Sequence, residues 1–158
     1  MYSLRRPEVA IGVRTRTWMS AEQYVPMAYT KKNLKDDVQD SAEGFGFAPD
    51  MEARFASRDL ELEQSGMGYE RLTPNFRVPF GHTHKGQEEL YVVASGSGRM
   101  KIDDEVVDLQ QWDAIRVPAG VWRCTEAGPD GIEIIAFGAP KMDDPRADAE
   151  MQPGWWSD

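Results

Sequence analysis

Between residues 66 and 138, short stretches rich in Val, Ile, Leu and Tyr alternate with polar positions and stop at turn residues. "MGYERLT" ends at Pro74-Asn75 and "EELYVVAS" at Gly96, while "GRMKI" meets "EVVDL" across an acidic turn. "AIRVP" stops at Pro118-Ala119-Gly120, "VWRCTE" at Gly128-Pro129-Asp130-Gly131, and "IEIIAFG" at Gly138. Alternation of period two, broken by turns every 8–12 residues or so, predicts an all-β sandwich or barrel rather than βαβ units.

The flanks read differently. Residues 1–65 are irregular, apart from "PDMEARFASRDLELE", where Asp50 is a plausible cap and Met51 and Phe55 share a face at a spacing of four. This spacing predicts a short helix packing on the barrel. The tail, 139–158, is polar apart from Met142, Met151, Trp155 and Trp156. Two adjacent tryptophans are expected to dock, on their own domain or on a partner, because exposing both rings forfeits favourable burial.

With 158 residues the chain fits one domain with a full core. Its one cysteine, Cys124, excludes an internal disulfide and reads as a buried filler. There is no signal-peptide pattern and no long apolar run, so a soluble cytoplasmic protein is expected. The formal net charge is −9, although residues 1–35 carry seven Lys or Arg against Glu8 and Glu22. An acidic body without basic clusters argues against nucleic-acid binding, and the basic start reads as ordinary surface or as an arm on a partner subunit. No G-x-S-x-G elbow, C-x-x-C pair, P-loop or dinucleotide fingerprint is present.

The candidate chemistry lies in "GHTHKGQEELYVVASGSG". In a strand, i and i+2 point the same way, so His82 and His84 present two imidazoles side by side. A turn through Lys85-Gly86-Gln87 brings Glu89 toward the same space. Two imidazoles and a carboxylate suit a borderline divalent ion such as Fe, Mn, Zn, Ni or Co. Tyr91 shares the face of Glu89 and reads either as a pocket wall with a hydroxyl handle or as plain core. Arg71 and Arg77 are candidate anion contacts, or simply solvated strand ends.

These residues carry a resemblance to the two motifs of the cupin superfamily. His82, His84, Glu89 and Gly96 fall on the first motif, and Asp113, Pro118 and Gly120 on the second. The resemblance implies a double-stranded β-helix, a jelly-roll barrel, over 66–138, and pairing as a homodimer. Four positions depart from it. Phe76 and Trp112 stand where glycines belong, Ala127 replaces an asparagine, and Arg123 occupies the position of the third histidine ligand.

Arginine has no free lone pair and stays protonated, so it cannot ligate a cation. With a divalent ion bound, Glu89 and Arg123 would leave the pocket at about +2, a costly state in a partly dry barrel. Without one, Arg123 and Glu89 cancel as a charge-assisted pair. The expectation is therefore a small-molecule site, suited to an anionic ligand, lined by His82, His84, Glu89, Tyr91 and Arg123, with no tightly held metal. One alternative is a dioxygenase or isomerase holding Fe, Mn, Zn or Ni on His82, His84 and Glu89, with Arg123 anchoring an anionic substrate. Another is a non-catalytic interaction or structural module.

Overall fold

The computed structural model describes residues 29–157; the sequence readings that fall on residues 1–28, including most of the basic N-terminal segment, lie outside them. Eight strands form one curled antiparallel sheet: β1 (Met51–Phe55), β2 (Gly66–Leu72), β3 (Phe80–His84), β4 (Glu88–Ile102), β5 (Glu105–Gln110), β6 (Ala114–Val117), β7 (Arg123–Ala139) and β8 (Ala149–Pro153). A single helical turn, α1 (Pro145–Asp148), precedes β8. None of the helices among these residues is long and apolar enough to cross a membrane.

The long strands β4 and β7 build the roll. The first half of β4 pairs with the second half of β7, the register breaks around Gly96 and Gly98, and the remainder of β4 pairs with the start of β7. Each strand thereby serves two layers. One layer runs β1-β2-β7-β4-β6 and the other β8-β3-β7-β4-β5. The bend needs glycine: Gly96 has φ 75°, and a Cβ there would stand 2.1 Å from the Gly131 carbonyl oxygen. Met51, Ala53, Leu72, Tyr91, Val93, Met100, Val117, Ile132 and Ile134 fill the core between the layers. This is the expected jelly-roll barrel.

The helix expected from Met51 and Phe55 is a correction. The segment forms strand β1, antiparallel to β2, with Met51 and Ala53 buried while Glu52 bonds Arg71 across the strand pair. A spacing of four satisfies both a helical face and a strand face, and the cross-strand partner decides between them. Residues 56–62 form turns instead, closed by Leu60 N–H donating to the Ala56 carbonyl. The free edge of β1 is covered by the chain before it: Ser41 N–H donates to the Ala53 carbonyl, and the Asp40 carboxylate accepts from the Ala53 N–H. The sheet thus extends beyond the expected 66–138 at both ends, through β1 and β8.

The tryptophans of the tail dock on their own barrel. Trp155 stacks on Trp122 at 6.0 Å between centroids, with Lys101 Nζ 4.7 Å from its ring. Its ring lies where a Cβ on Gly81 would be, at 2.6 Å, so glycine makes the seat. Trp156 lies under the guanidinium groups of Arg77 and Arg99, at 4.5 and 5.6 Å.

Candidate functional site

His82 and Arg123 are cross-strand partners of β3 and β7, so both side chains leave the same face of the sheet. His84, two residues on, joins them, and its ring stands 5.5 Å from that of His82 in an edge-on arrangement. Glu89 and Tyr91 come from β4. The structure therefore brings together all five residues singled out in the sequence.

Arg123 is the hub. Its guanidinium is buried, donating from Nε to the Tyr91 hydroxyl at 3.0 Å, from Nη1 to the Val121 carbonyl at 3.0 Å, and from Nη2 to Glu89. The Tyr91 hydroxyl donates to the same carboxylate. Having given its hydrogen to Glu89, that hydroxyl meets His82 Nε2 at 3.4 Å with a lone pair, so the tautomer that fits carries the proton on Nε2. Burial, then the Arg123 charge, hold His82 below its ordinary pKa, against the raising influence of Glu89. For Glu89, burial alone would raise the carboxyl, but its contacts with His82 and His84, the Arg123 charge and the Tyr91 hydroxyl hold it well below the usual range. Burial followed by the Glu89 charge pushes Tyr91 well above its ordinary value.

Sequence reasoning missed two carboxyls. Asp148, at the end of α1, is buried and accepts from His84 Nδ1 at 2.9 Å and from the Gly86 N–H at 2.8 Å. Its partner lies 64 residues away, and no local pattern signals that contact. The pairing leaves His84 Nε2 facing Glu89 Oε1 at 3.4 Å, either with a proton or with a lone pair for a cation. Glu70 on β2 pairs with Ile134, which pairs with Val93, so it faces the interior like Tyr91 and Glu89. Burial, reinforced by the Glu89 charge and opposed by Arg123, raises its carboxyl to about 7.

Other readings settle quickly. Arg71 is tied to Glu52, and Arg77 to Glu126, so neither supplies the interior with a free cation. Cys124 is buried, with its thiol donating to the Val78 carbonyl and burial pushing it up to about 11, as befits a filler. An open groove of about 830 Å³ lies elsewhere, among Glu63, Glu88, Arg116 and Lys141, with none of these five residues in its walls.

For a metal, the donor atoms of His82, His84 and Glu89 lie within 4.8 Å of one another, and Asp148 orients His84 as a ligand needs. The set fits a divalent ion in kind. Two further carboxyls, Asp148 and Glu70, change the charge balance expected from Arg123 and Glu89 alone. With Asp148 and an ionised Glu70 included, a divalent ion would leave the interior neutral, while a proton on His84 and an un-ionised Glu70 would do the same without one.

The geometry defines a class, a double-stranded β-helix with an inward His–His–Glu group on β3 and β4. Residues 68–131 match the family profile of the cupin domain. The chain's fold resembles a cupin protein from Bacteroides fragilis, at 25% identity over 74% of this chain and 88% of that one, with a TM-score of 0.58. Oxalate decarboxylase from Bacillus subtilis is similar at 20% identity and a TM-score of 0.61, over 80% of this chain but 34% of that one. The Streptomyces nucleoside dehydratase Pac13 is similar at 15% identity and a TM-score of 0.53, over 66% and 79%. No curated protein sequence matches the chain. A decarboxylase and a dehydratase on one barrel leave the fold silent about chemistry.

Proposed function

We propose that this protein binds a small organic molecule inside the barrel without a tightly held metal, with Arg123 as the floor of the site. The observation that carries this reading is the commitment of Arg123, whose three nitrogens donate to Tyr91, Val121 and Glu89. The carboxylate a metal would need is already engaged by Arg123 Nη2 and the Tyr91 hydroxyl, and His82 fits the tautomer that points a proton inward. The His82 side chain is 25% exposed against 14% for Glu89, 10% for His84 and 1% for Arg123, so a ligand meets His82 first. The Phe47 and Phe80 rings, 5.5 Å apart, lead toward His82, with 6.3 Å between Phe80 and the imidazole. Fragment screening by ligand-detected NMR in chelator-treated buffer tests this. Binders lost in His82→Ala are expected; a screen with no hits on folded protein would overturn it.

One observation favours a second reading. Asp148 fixes His84 as it would a metal ligand, and His82, His84 and Glu89 would then hold a divalent ion that polarises a substrate oxygen. Elemental analysis of protein purified without an affinity tag decides between the two: a stoichiometric ion, lost in His84→Ala, would replace the metal-free reading. For assembly, Leu90 and Phe137 are cross-strand partners, both more than a third exposed, and they offer an apolar patch on which a second copy would pack. Light scattering that returned a monomer would reject that proposal.

A further inference from the structure

Beside Tyr91, the inner face of the barrel has a row of nearly absent side chains. The register runs Phe55–Gly68–Ala136–Tyr91, so one hydrogen and one methyl group lie in the row between the buried Tyr91 and Phe55, which is 57% exposed and has its ring edge 4.0 Å from where a Gly68 Cβ would stand. The next row is Ala53–Glu70–Ile134–Val93, which places Glu70 at the border of this gap. Its half-buried carboxyl has no hydrogen-bond or ion-pair partner among the described residues. A carboxyl left unpaired amid Ala53 and Ile134 costs stability, and apolar residues of similar size would pack there without that cost. Arg123, by contrast, is 1% exposed, with three of its five N–H groups given to Tyr91, Val121 and Glu89, so its two spare N–H groups present almost no surface to a ligand. The open polar groups of the gap are therefore acceptors.

We propose that Glu70 selects the ligand: a small molecule that lies over Gly68 and Ala136, between Tyr91 and Phe55, and donates hydroxyl or ammonium hydrogens to the Glu70 carboxyl. This rests on the small-molecule reading above and specifies its ligand class. It also replaces the anionic ligand expected from the sequence, because a carboxylate would face Glu70 and Glu89 while Arg123 is already paired with Glu89 and is 1% exposed.

The test compares three probe sets by saturation-transfer NMR on metal-free full-length protein: pentoses and polyols, alkylammonium ions, and dicarboxylates. Polyols or alkylammonium ions are expected to bind at pH 8, where Glu70 is ionised, and to weaken roughly tenfold in Glu70→Gln, which keeps an acceptor oxygen but loses the charge behind the hydrogen bond. Gly68→Val serves as the second variant. A Cβ at Gly68 would stand 3.7 Å from the Arg54 carbonyl oxygen, an ordinary contact, so the variant is expected to fold while blocking the gap. Dicarboxylates binding better than the donor-bearing probes, or probe affinity unchanged in both variants, would overturn the role of Glu70 while leaving a ligand in the barrel. If no probe bound the wild-type protein, the small-molecule reading and this inference would both fall.

Discussion

Two carboxyls face the barrel interior from the same layer, Glu89 on β4 and Glu70 on β2, and their surroundings differ. Glu89 accepts from Arg123 and Tyr91, lies 3.4 Å from His84 Nε2, and is held well below the usual carboxylate range. Glu70 stands between Ala53 and Ile134 and is raised to about 7. The same functional group, a few strand positions away, is a fixed anion in one place and close to neutral in the other. Burial raises both, and only the one with donors around it is brought back down. Glu89 is therefore part of the frame, while Glu70 is free to respond to what enters the barrel.

The largest effect is expected from breaking the paired side. Arg123→Met leaves Glu89 buried without its cation and is expected to cost about 3–5 kcal/mol of unfolding free energy, read by denaturant titration. Glu89→Gln should cost a comparable amount, and the double variant should recover most of the combined loss. Losses that simply add would show that the two act separately, and the contrast with Glu70 would lose its basis.

Next comes the unpaired side. Glu70 keeps its proton in the folded protein up to about pH 7, whereas the unfolded chain releases it near its ordinary value of 4.5. Its contribution to stability is therefore complete below about pH 4.5 and lost as pH rises through 7. A shift of this size corresponds to about 3.4 kcal/mol at most, and to about 2–3 kcal/mol once solvent screening of a half-buried group is allowed for. His82, held low, acts in the opposite sense, losing stability as pH falls below its ordinary 6.5, so the wild-type curve mixes the two. The difference between wild type and Glu70→Gln isolates Glu70: it should move by about 2–3 kcal/mol in favour of the variant between pH 4.5 and 8. A flat difference would mean that Glu70 is solvated.

The tail supports one side only. Trp155→Ala removes the stack on Trp122 and the contact with Lys101, and half-burial of the ring sets the expected loss at about 2 kcal/mol, below that of a fully buried tryptophan. Because β8 pairs with β3, loosening the tail should also expose the Asp148–His84 contact, read as faster amide exchange at Gly86. The Glu70 titration should stay where it was. If it moved as well, the two regions would be coupled through the barrel.

How much of this was legible beforehand follows from periodicity. The strands from β2 to β7 announce themselves by alternation, although the turns read at Gly96 and at residues 128–131 lie inside the unbroken strands β4 and β7, where glycine bends the chain without ending the pairing; His82, His84, Glu89, Tyr91 and Arg123 follow from strand parity and motif spacing. Strand β1 is not legible because Met51 and Phe55, four apart, fit both periods, and Ala53 between them is too small to signal a strand. Glu70 carries no signal because "GMGYERL" places Gly68, Glu70 and Leu72 on one face and Met67, Tyr69 and Arg71 on the other. Both faces are mixed, so alternation alone cannot say which one turns inward. Asp148 depends on a tail that folds back across β3, a contact that only the assembled barrel creates.

The smallest expected effect concerns that residue. Asp148→Asn keeps the size of the side chain and an oxygen able to accept from His84 Nδ1 or the Gly86 N–H, but removes the charge beside the imidazole. The expected cost is about 1 kcal/mol, the ordinary worth of weakening a charged hydrogen bond. The more telling readout is the imidazole itself, followed through the His84 ring resonances. With Asp148 the ring is held with its Nδ1–H toward the carboxylate and Nε2 toward Glu89; with Asn the two tautomers should mix, and the ring nitrogen shifts should move together. If they do not change, the tautomer is set by Glu89 and Arg123 instead. The paired side of the barrel would then need no help from the tail, and the contrast with Glu70 would lie within the barrel strands.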